Sequence, residues 1–252
     1  MHLLAGAIAA SLIAAPVASA AGTEVIGGGE ATEPYEFMAA TSLDGEFRCG
    51  GSLIAPDWVV SAAHCFAQKA PDGSIVPIPT DGLAARVGSH DRTAGGSEAR
   101  ISEIVLHPGF SVQGGDIALL RLDHPVPQRP IGIADASGPA GTATRVLGWG
   151  RTNEESGELP VRLRELDTRI VPDDRCGTLS DPHRNICTEG VVPGTNACDG
   201  DSGGPQLQGR PGEWELIGAT GGPADGDGKC GTGYGRWSDL PQARDWITAT
   251  TG

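Results

Sequence analysis

The chain has 252 residues, enough for one large domain or two smaller ones with a substantial buried core. Thirty-nine glycines and 19 prolines, without long apolar periodic runs, favour short strands and many turns. A formal net charge of −14 argues against nucleic acid or an anionic membrane surface as a partner and favours solubility. Lys69 and Lys229 are the only lysines among 18 basic residues, an arginine bias that suits a GC-rich genome.

Residues 3–15 form an apolar run too short to span a bilayer comfortably, and Ala18-Ser19-Ala20 follows as a small-residue cleavage site. Residues 1–20 therefore read as a secretory signal peptide, although Met1-His2 lacks the usual Lys or Arg; the alternative is a retained membrane anchor. No other segment approaches membrane-spanning length. Cys49, Cys65, Cys176, Cys187, Cys198 and Cys230 all lie beyond it. An even count in an exported chain implies disulfides, although six cysteines allow 15 pairings. No Cys-x-x-Cys or His-Glu-x-x-His spacing points to zinc.

Further along, Gly50-Gly51 is expected to break a strand and Trp58-Val59-Val60 to form one, with His64 beside Cys65. A disulfide at Cys65 would pin the histidine's backbone. Ile104–Leu106 and Ile117–Leu120 are two more strand candidates. Asp116, at the mouth of the second, is either a turn residue or a half-buried carboxylate awaiting a cation. Residues 125–142, rich in Pro, Gly and Ala, read as a linker between two halves. Val146–Gly150 opens a second set of strands that includes Leu166–Ile170 and Trp214–Gly218, and residues 153–160 form a polar loop open to nicking. From Ser238 to Thr248, an N-cap serine, Pro241, and Leu240, Ala243, Trp246 and Ile247 at helical spacing predict a terminal helix. Cys198–Pro205 is a glycine-rich turn with Ser202 at its centre. A serine hydroxyl is a poor nucleophile near neutral pH and needs a base, an orienting group and donors for an oxyanion.

Ala62-Ala63-His64-Cys65, Asp116-Ile117-Ala118-Leu119-Leu120 and Gly200-Asp201-Ser202-Gly203-Gly204-Pro205 follow one another in the order His, Asp, Ser. All three resemble signature segments of the chymotrypsin-like, trypsin-fold serine proteases. The Val25-Ile26-Gly27-Gly28 start, the Cys49–Ile54 strand and Gly148-Trp149-Gly150 extend the resemblance over the whole chain after the signal. It implies an all-β protein of two six-stranded antiparallel Greek-key barrels, the first at about 25–130 and the second at about 140–236, with a C-terminal helix at about 238–250. It also implies a secreted, monomeric endopeptidase acting on protein or peptide substrates, open to protein inhibitors and free of the membrane once the signal is removed. His64, Asp116 and Ser202 would form the triad, and the N–H groups of Gly200 and Ser202 the oxyanion hole. Gly200 would be glycine because a side chain would obstruct the substrate carbonyl. Residues 21–24 would be a short activation peptide; cleavage after Glu24 would free the Val25 amine to pair with Asp201. The implied disulfides are Cys49–Cys65, Cys176–Cys187 and Cys198–Cys230. Ser89 and the residues after it lack the leading acid of the family's calcium loop, so no metal is expected, and no cofactor. His90, His107, His124 and His183 are expected to be structural or solvent-exposed.

Two departures bear on specificity. Asn196 stands at the base of the primary pocket, where members that prefer Arg or Lys carry Asp. The strand that usually reads Ser-Trp-Gly runs Gly221-Gly222-Pro223 here, and Pro223 has no N–H to offer an extended substrate. With Thr232 narrowing the pocket, small or medium apolar side chains are expected. Gly200–Gly204 also satisfies the G-x-S-x-G elbow of α/β-hydrolases, but that fold needs a histidine after the serine, and none follows His183. The competing reading is a weakly active or inactive binding protein on the protease fold.

Overall fold

The structure, a computed structural model, describes residues 27–111, 114–152, 157–224 and 230–252. The signal segment, Glu24 and Val25 lie outside these residues, as do positions 153–156 of the polar loop. The strands are short, as the density of turn residues requires. They are β1 (Gly29–Glu30), β2 (Met38–Leu43), β3 (Glu46–Ala55), β4 (Trp58–Ser61), β5 (Ala67–Lys69), β6 (Ile75–Pro77), β7 (Leu83–Val87), β8 (Ser97–Leu106) and β9 (Ala118–Leu122). After the proline-rich connection come β10 (Ala143–Gly148), β11 (Arg164–Ile170), β12 (Asn185–Gly190), β13 (Pro205–Arg210), β14 (Glu213–Pro223) and β15 (Gly235–Asp239), then the helix α1 (Arg244–Thr251).

Period-two alternation drives strands such as β7 and β11 to bury one face, while β4 and β15 are buried on both. In β11, Leu166, Thr168 and Ile170 point inward while Asp167 and Arg169 face solvent. Strands β2-β3-β4-β9-β8-β7 close into one antiparallel barrel. Strands β11-β10-β13-β14-β15-β12 form the second, closed by the β11–β12 pairing. Two six-stranded barrels result, as the resemblance implies. The entering segment departs from that reading, since β1 pairs with β11 and so belongs to the second sheet rather than the first barrel.

That segment is held by charge. Arg145 on β10 donates to Asp167 and to the Tyr35 hydroxyl and lies within ion-pair distance of Glu33 and Glu165. Tyr35 in turn donates to Glu165, and burial pushes its phenol well above the usual range.

Gly50-Gly51 does not interrupt a strand, because β3 runs straight through it. Gly51 packs against β4, and Gly50 serves contact between the barrels. The Gly50 N–H donates to Ser202 O at 2.8 Å, and a side-chain carbon on Gly50 would lie 3.0 Å from the Gly204 backbone. Across the seam Gly203, at φ +73°, would place a Cβ 2.1 Å from Ser61 Oγ and 2.5 Å from Gly50 O. Backbone packs on backbone there, which only glycine permits.

The C-terminal helix is also shorter than expected. Ser238 lies in β15 and is fully buried, donating to Asp116 O at 3.1 Å, so it cannot cap a helix. A 3₁₀ turn at Pro241–Ala243 intervenes before α1, which buries Ile247. All three implied disulfides are present: Cys49–Cys65, Cys176–Cys187 and Cys198–Cys230. Among the described residues no helix is long and apolar enough to cross a membrane.

Candidate active site

The site lies where the two barrels meet. His64 sits in the 3₁₀ turn Ala63–Cys65 immediately after β4, and the Cys49–Cys65 bond ties that turn to β3. Asp116 precedes β9 and is 4% exposed. Both of its oxygens are taken by His64: Oδ1 accepts the backbone N–H at 2.8 Å and Oδ2 accepts Nδ1–H at 2.7 Å. A carboxylate only accepts, so this bond assigns the ring proton to Nδ1 and leaves a lone pair on Nε2. The His64 side chain is 39% exposed, and its Nε2 lies 3.6 Å from Cys65 Sγ.

Ser202 arrives from the second barrel on the loop before β13. The Asp201 N–H donates to Cys198 O at 3.0 Å, which closes a β-turn with Gly200 at its third position. Gly200 has φ +98°, the sign a type II turn demands there. A side-chain carbon on Gly200 would lie 2.8 Å from Leu159 Cδ2 and 3.1 Å from the Gly150 Cα. Backbone conformation and packing on the 149–150 segment therefore also require a glycine here. Among the described residues the N–H groups of Gly200 and Ser202 have no acceptor, and the Ser202 hydroxyl makes no hydrogen bond. Free enzymes often leave the nucleophile–base bond open until substrate arrives.

Asp201 turns away from Ser202 into the second barrel, fully buried. It accepts from Gly150 N–H at 2.7 Å and from Cys198 N–H at 2.9 Å. Desolvation outweighs those two bonds and pushes its carboxyl up to about 6. Gly148 and Gly150 leave room for it, since a side-chain carbon on either would fall within 2.3 Å of a carboxylate oxygen. Val25, its expected partner, lies outside the described residues. Gly27, two residues on, abuts the Thr195 side chain behind this same loop.

Beside Ser202 is a small cavity of about 70 Å³ whose lining includes Asn196, Thr220, Gly222, Pro223 and Thr232. Asn196 is buried at its base, with Oδ1 accepting the Ala197 N–H and Nδ2 directed at Gly233 O. Its amide is thus engaged by its own loop and offers no charge. Thr232 stands exposed at the rim. Gly221 differs from its two neighbours. It sits at a β-bulge, and its side-chain direction points at the Asp116 carboxylate, so it belongs behind the triad rather than in the pocket.

The other histidines fall elsewhere. His90 accepts a bond from Trp149 Nε1 at its carbonyl, and His107 stacks edge-on against Trp246. His124 pairs with Asp123, and His183 is exposed. Sequence reasoning missed Arg236, which is buried behind Asp116. Its only signal was an arginine between Gly235 and Trp237 on a strand of otherwise buried residues.

Residues 26–247 match the family model described as Trypsin. The bovine suppressor of tumorigenicity 14 protein homolog is 35% identical over 244 residues, covering 89% of this chain. This chain spans only 28% of that relative's length. Glucanase inhibitor protein 3 of Phytophthora infestans is 30% identical over 260 residues, covering 97% of each chain. Among solved structures, mouse brain neuropsin superposes with a TM-score of 0.74 at 24% identity, covering 89% of this chain and 99% of its own, a likeness of fold. With the barrels, the disulfides and the His64–Asp116 pair in place, the family match over nearly the whole described chain leaves one assignment: this protein belongs to the trypsin family of chymotrypsin-like serine proteases.

Proposed function

We propose that the protein is a secreted serine endopeptidase, made as a zymogen and activated by cleavage after Glu24. The observation that carries this reading is the His64–Asp116 pair, closed through both carboxylate oxygens, beside a serine loop whose Gly200 and Ser202 N–H groups have no acceptor among the described residues. Ser202 Oγ attacks the scissile carbonyl while His64 Nε2 takes its proton. The oxyanion is received by the N–H groups of Gly200 and Ser202, each such donor being worth about 3–4 kcal/mol. His64 then passes the proton to the leaving amine, and water hydrolyses the acyl-enzyme by the same route reversed. Asp116 keeps the imidazole in the useful tautomer and stabilises the imidazolium.

The base of the primary pocket is neutral, so Arg and Lys are not the favoured residues before the cut. The small cavity and the Thr232 rim fit small or medium apolar side chains. Pro223, without an N–H, weakens strand-like pairing with longer substrates. The mature protein incubated with a peptide library is expected to cleave after residues such as Ala, Val or Leu, with no cleavage by Ser202→Ala. Dominant cleavage after Arg or Lys would overturn the pocket assignment, and no Ser202-dependent cleavage would overturn the protease reading.

A second reading is favoured by one specific finding, the full-length likeness to a protein named as a glucanase inhibitor. On that reading the fold binds a protein partner and turns over slowly or not at all. The same assay separates the two.

A further inference from the structure

We propose that Arg236 is a positioning residue for the Asp116–His64 pair, facing the Asp116 carboxylate through the gap that Gly221 leaves open. The inference rests on the protease reading above and concerns what stands behind the triad. Gly221 lies at the bulge in the β14–β15 ladder, where Gly222 rather than Gly221 pairs with Arg236. A side-chain carbon on Gly221 would lie 3.5 Å from Asp116 Oδ2 and 3.9 Å from Arg236 Cζ. Carboxylate and guanidinium thus both border the space that a methyl group at 221 would occupy.

The guanidinium is fixed in place. Arg236 is 8% exposed; its Nη1 donates to Leu179 O at 3.1 Å and its Nη2 to Gly221 O at 3.4 Å. The second bond ties the cation to the bulge that opens the gap. Burying a guanidinium is costly, and here desolvation outweighs the pull of Asp116, which acts in the opposite direction. Ser238, two residues along the same strand, donates to the Asp116 carbonyl, so β15 meets Asp116 at two points.

Among the described residues, the charged and titratable groups facing Asp116 are His64, from the turn after β4, and Arg236, from β15. His107, whose N–H donates to Ile117 O, is turned onto Trp246, with Arg184 on its far side bonding Gly109 O. The sign of the expected effect follows from this arrangement. A fixed positive charge favours the Asp116 anion and disfavours a proton on His64 beyond it. Removing the charge makes His64 easier to protonate, and the acid limb of the rate profile moves to higher pH.

The test compares wild type, Arg236→Gln, Arg236→Lys and the double variant Arg236→Gln/Gly221→Ser. Gly221 has no positive φ, so serine fits its backbone, and a hydroxyl there would reach Asp116 Oδ2. Two quantities are read: kcat and KM on a peptide substrate across pH, and the pH midpoint of the His64 ring resonances by NMR. Arg236→Gln is expected to lower kcat about 10- to 100-fold with KM nearly unchanged. Its NMR midpoint should rise by about one pH unit, the order of effect that a unit charge roughly 10 Å away exerts at an effective dielectric of about 20. Arg236→Lys should keep the wild-type midpoint, and the double variant should recover part of the lost kcat without restoring the midpoint. An Arg236→Gln protein with kcat within twofold of wild type and an unmoved midpoint overturns the proposal while leaving the protease reading intact. So does equal loss of kcat in the Gln and Lys variants with both midpoints unmoved, which marks a purely structural arginine. If wild type turns over no peptide but the Arg236→Gln midpoint still rises, the protease reading fails and the positioning role stands.

Discussion

Replacing Asp116 by Asn is expected to lower kcat about 10⁴-fold while KM and the circular dichroism spectrum stay near wild type. The argument is geometric. Both Asp116 oxygens accept from His64, one from its backbone N–H and one from Nδ1–H. An Asn offers one oxygen and one NH₂ group. If the oxygen stays on the backbone N–H, the NH₂ confronts Nδ1, and the ring must carry its proton on Nε2 to accept. Nε2 then has no lone pair to receive the Ser202 proton. If the amide flips instead, the NH₂ meets the buried backbone N–H, donor against donor, costing about 1–3 kcal/mol and loosening the turn that carries His64. Losing the aspartate in the family's template enzyme costs about 10⁴ in turnover, and the wrong tautomer is the reason. A loss below tenfold, measured by steady-state kinetics on the mature protein, would mean that Asp116 does not orient the base.

The second large effect concerns Asp201 and the amino terminus. A buried carboxyl held at about 6 instead of 3.8 costs roughly 3 kcal/mol to ionise in place, at about 1.36 kcal/mol per decade. The folded chain therefore binds this proton more tightly than the unfolded chain does. Its contribution to stability is fully present below pH 4 and is lost as the pH rises through 6. With Val25 still joined to Glu24, the chain has no α-amino group there to offset that cost. Two expectations follow for the uncleaved protein. Asp201→Asn should lie about 1–3 kcal/mol below wild type at pH 4, because its NH₂ opposes one of the two N–H groups that Asp201 accepts from, and should gain on wild type by up to about 3 kcal/mol by pH 7.5, read from urea midpoints. Trimming the chain to begin at Val25 should abolish that gain at pH 7.5, because the new ammonium pairs with Asp201, while Asn cannot replace that pairing. The same 3 kcal/mol corresponds to roughly 10²-fold in the population of the ordered Ser202 loop, so trimming should raise kcat/KM by about two orders of magnitude. Equal activity before and after trimming would contradict this account of activation, as would an Asp201→Asn form of the trimmed chain with full activity.

Much of this was legible in the sequence because the informative residues are local. His64 beside Cys65, Asp116 at the head of an apolar strand and Ser202 in a glycine-rich turn each stand out within a few positions, and the structure brings His64 and Asp116 together. Apolar runs placed β4 and β9, and alternation placed β11, for the same reason. What escaped was set by contacts distant in sequence. Gly50-Gly51 reads as a break by propensity, and only the approach of Gly203-Gly204, some 150 residues later, turns it into a barrel seam. Ser238 has the chemistry of a cap, but its hydroxyl is taken by Asp116 O, 122 residues away. Leu159, packed beneath Gly200, adds a constraint of which the turn itself gives no sign. The role of Gly221 depends on a bulge, and the burial of Arg236 depends on Gly221, so neither is written in its own neighbourhood.

The central claim is that Ser202 is an activated nucleophile rather than a serine in a glycine-rich turn. An organophosphonate serine probe applied to the trimmed protein, followed by mass mapping of the adduct, tests it most directly. Stoichiometric label on the peptide carrying Ser202, absent in Ser202→Ala and strongly slowed in His64→Ala, is the predicted result. An unlabelled trimmed protein that remains folded would contradict it.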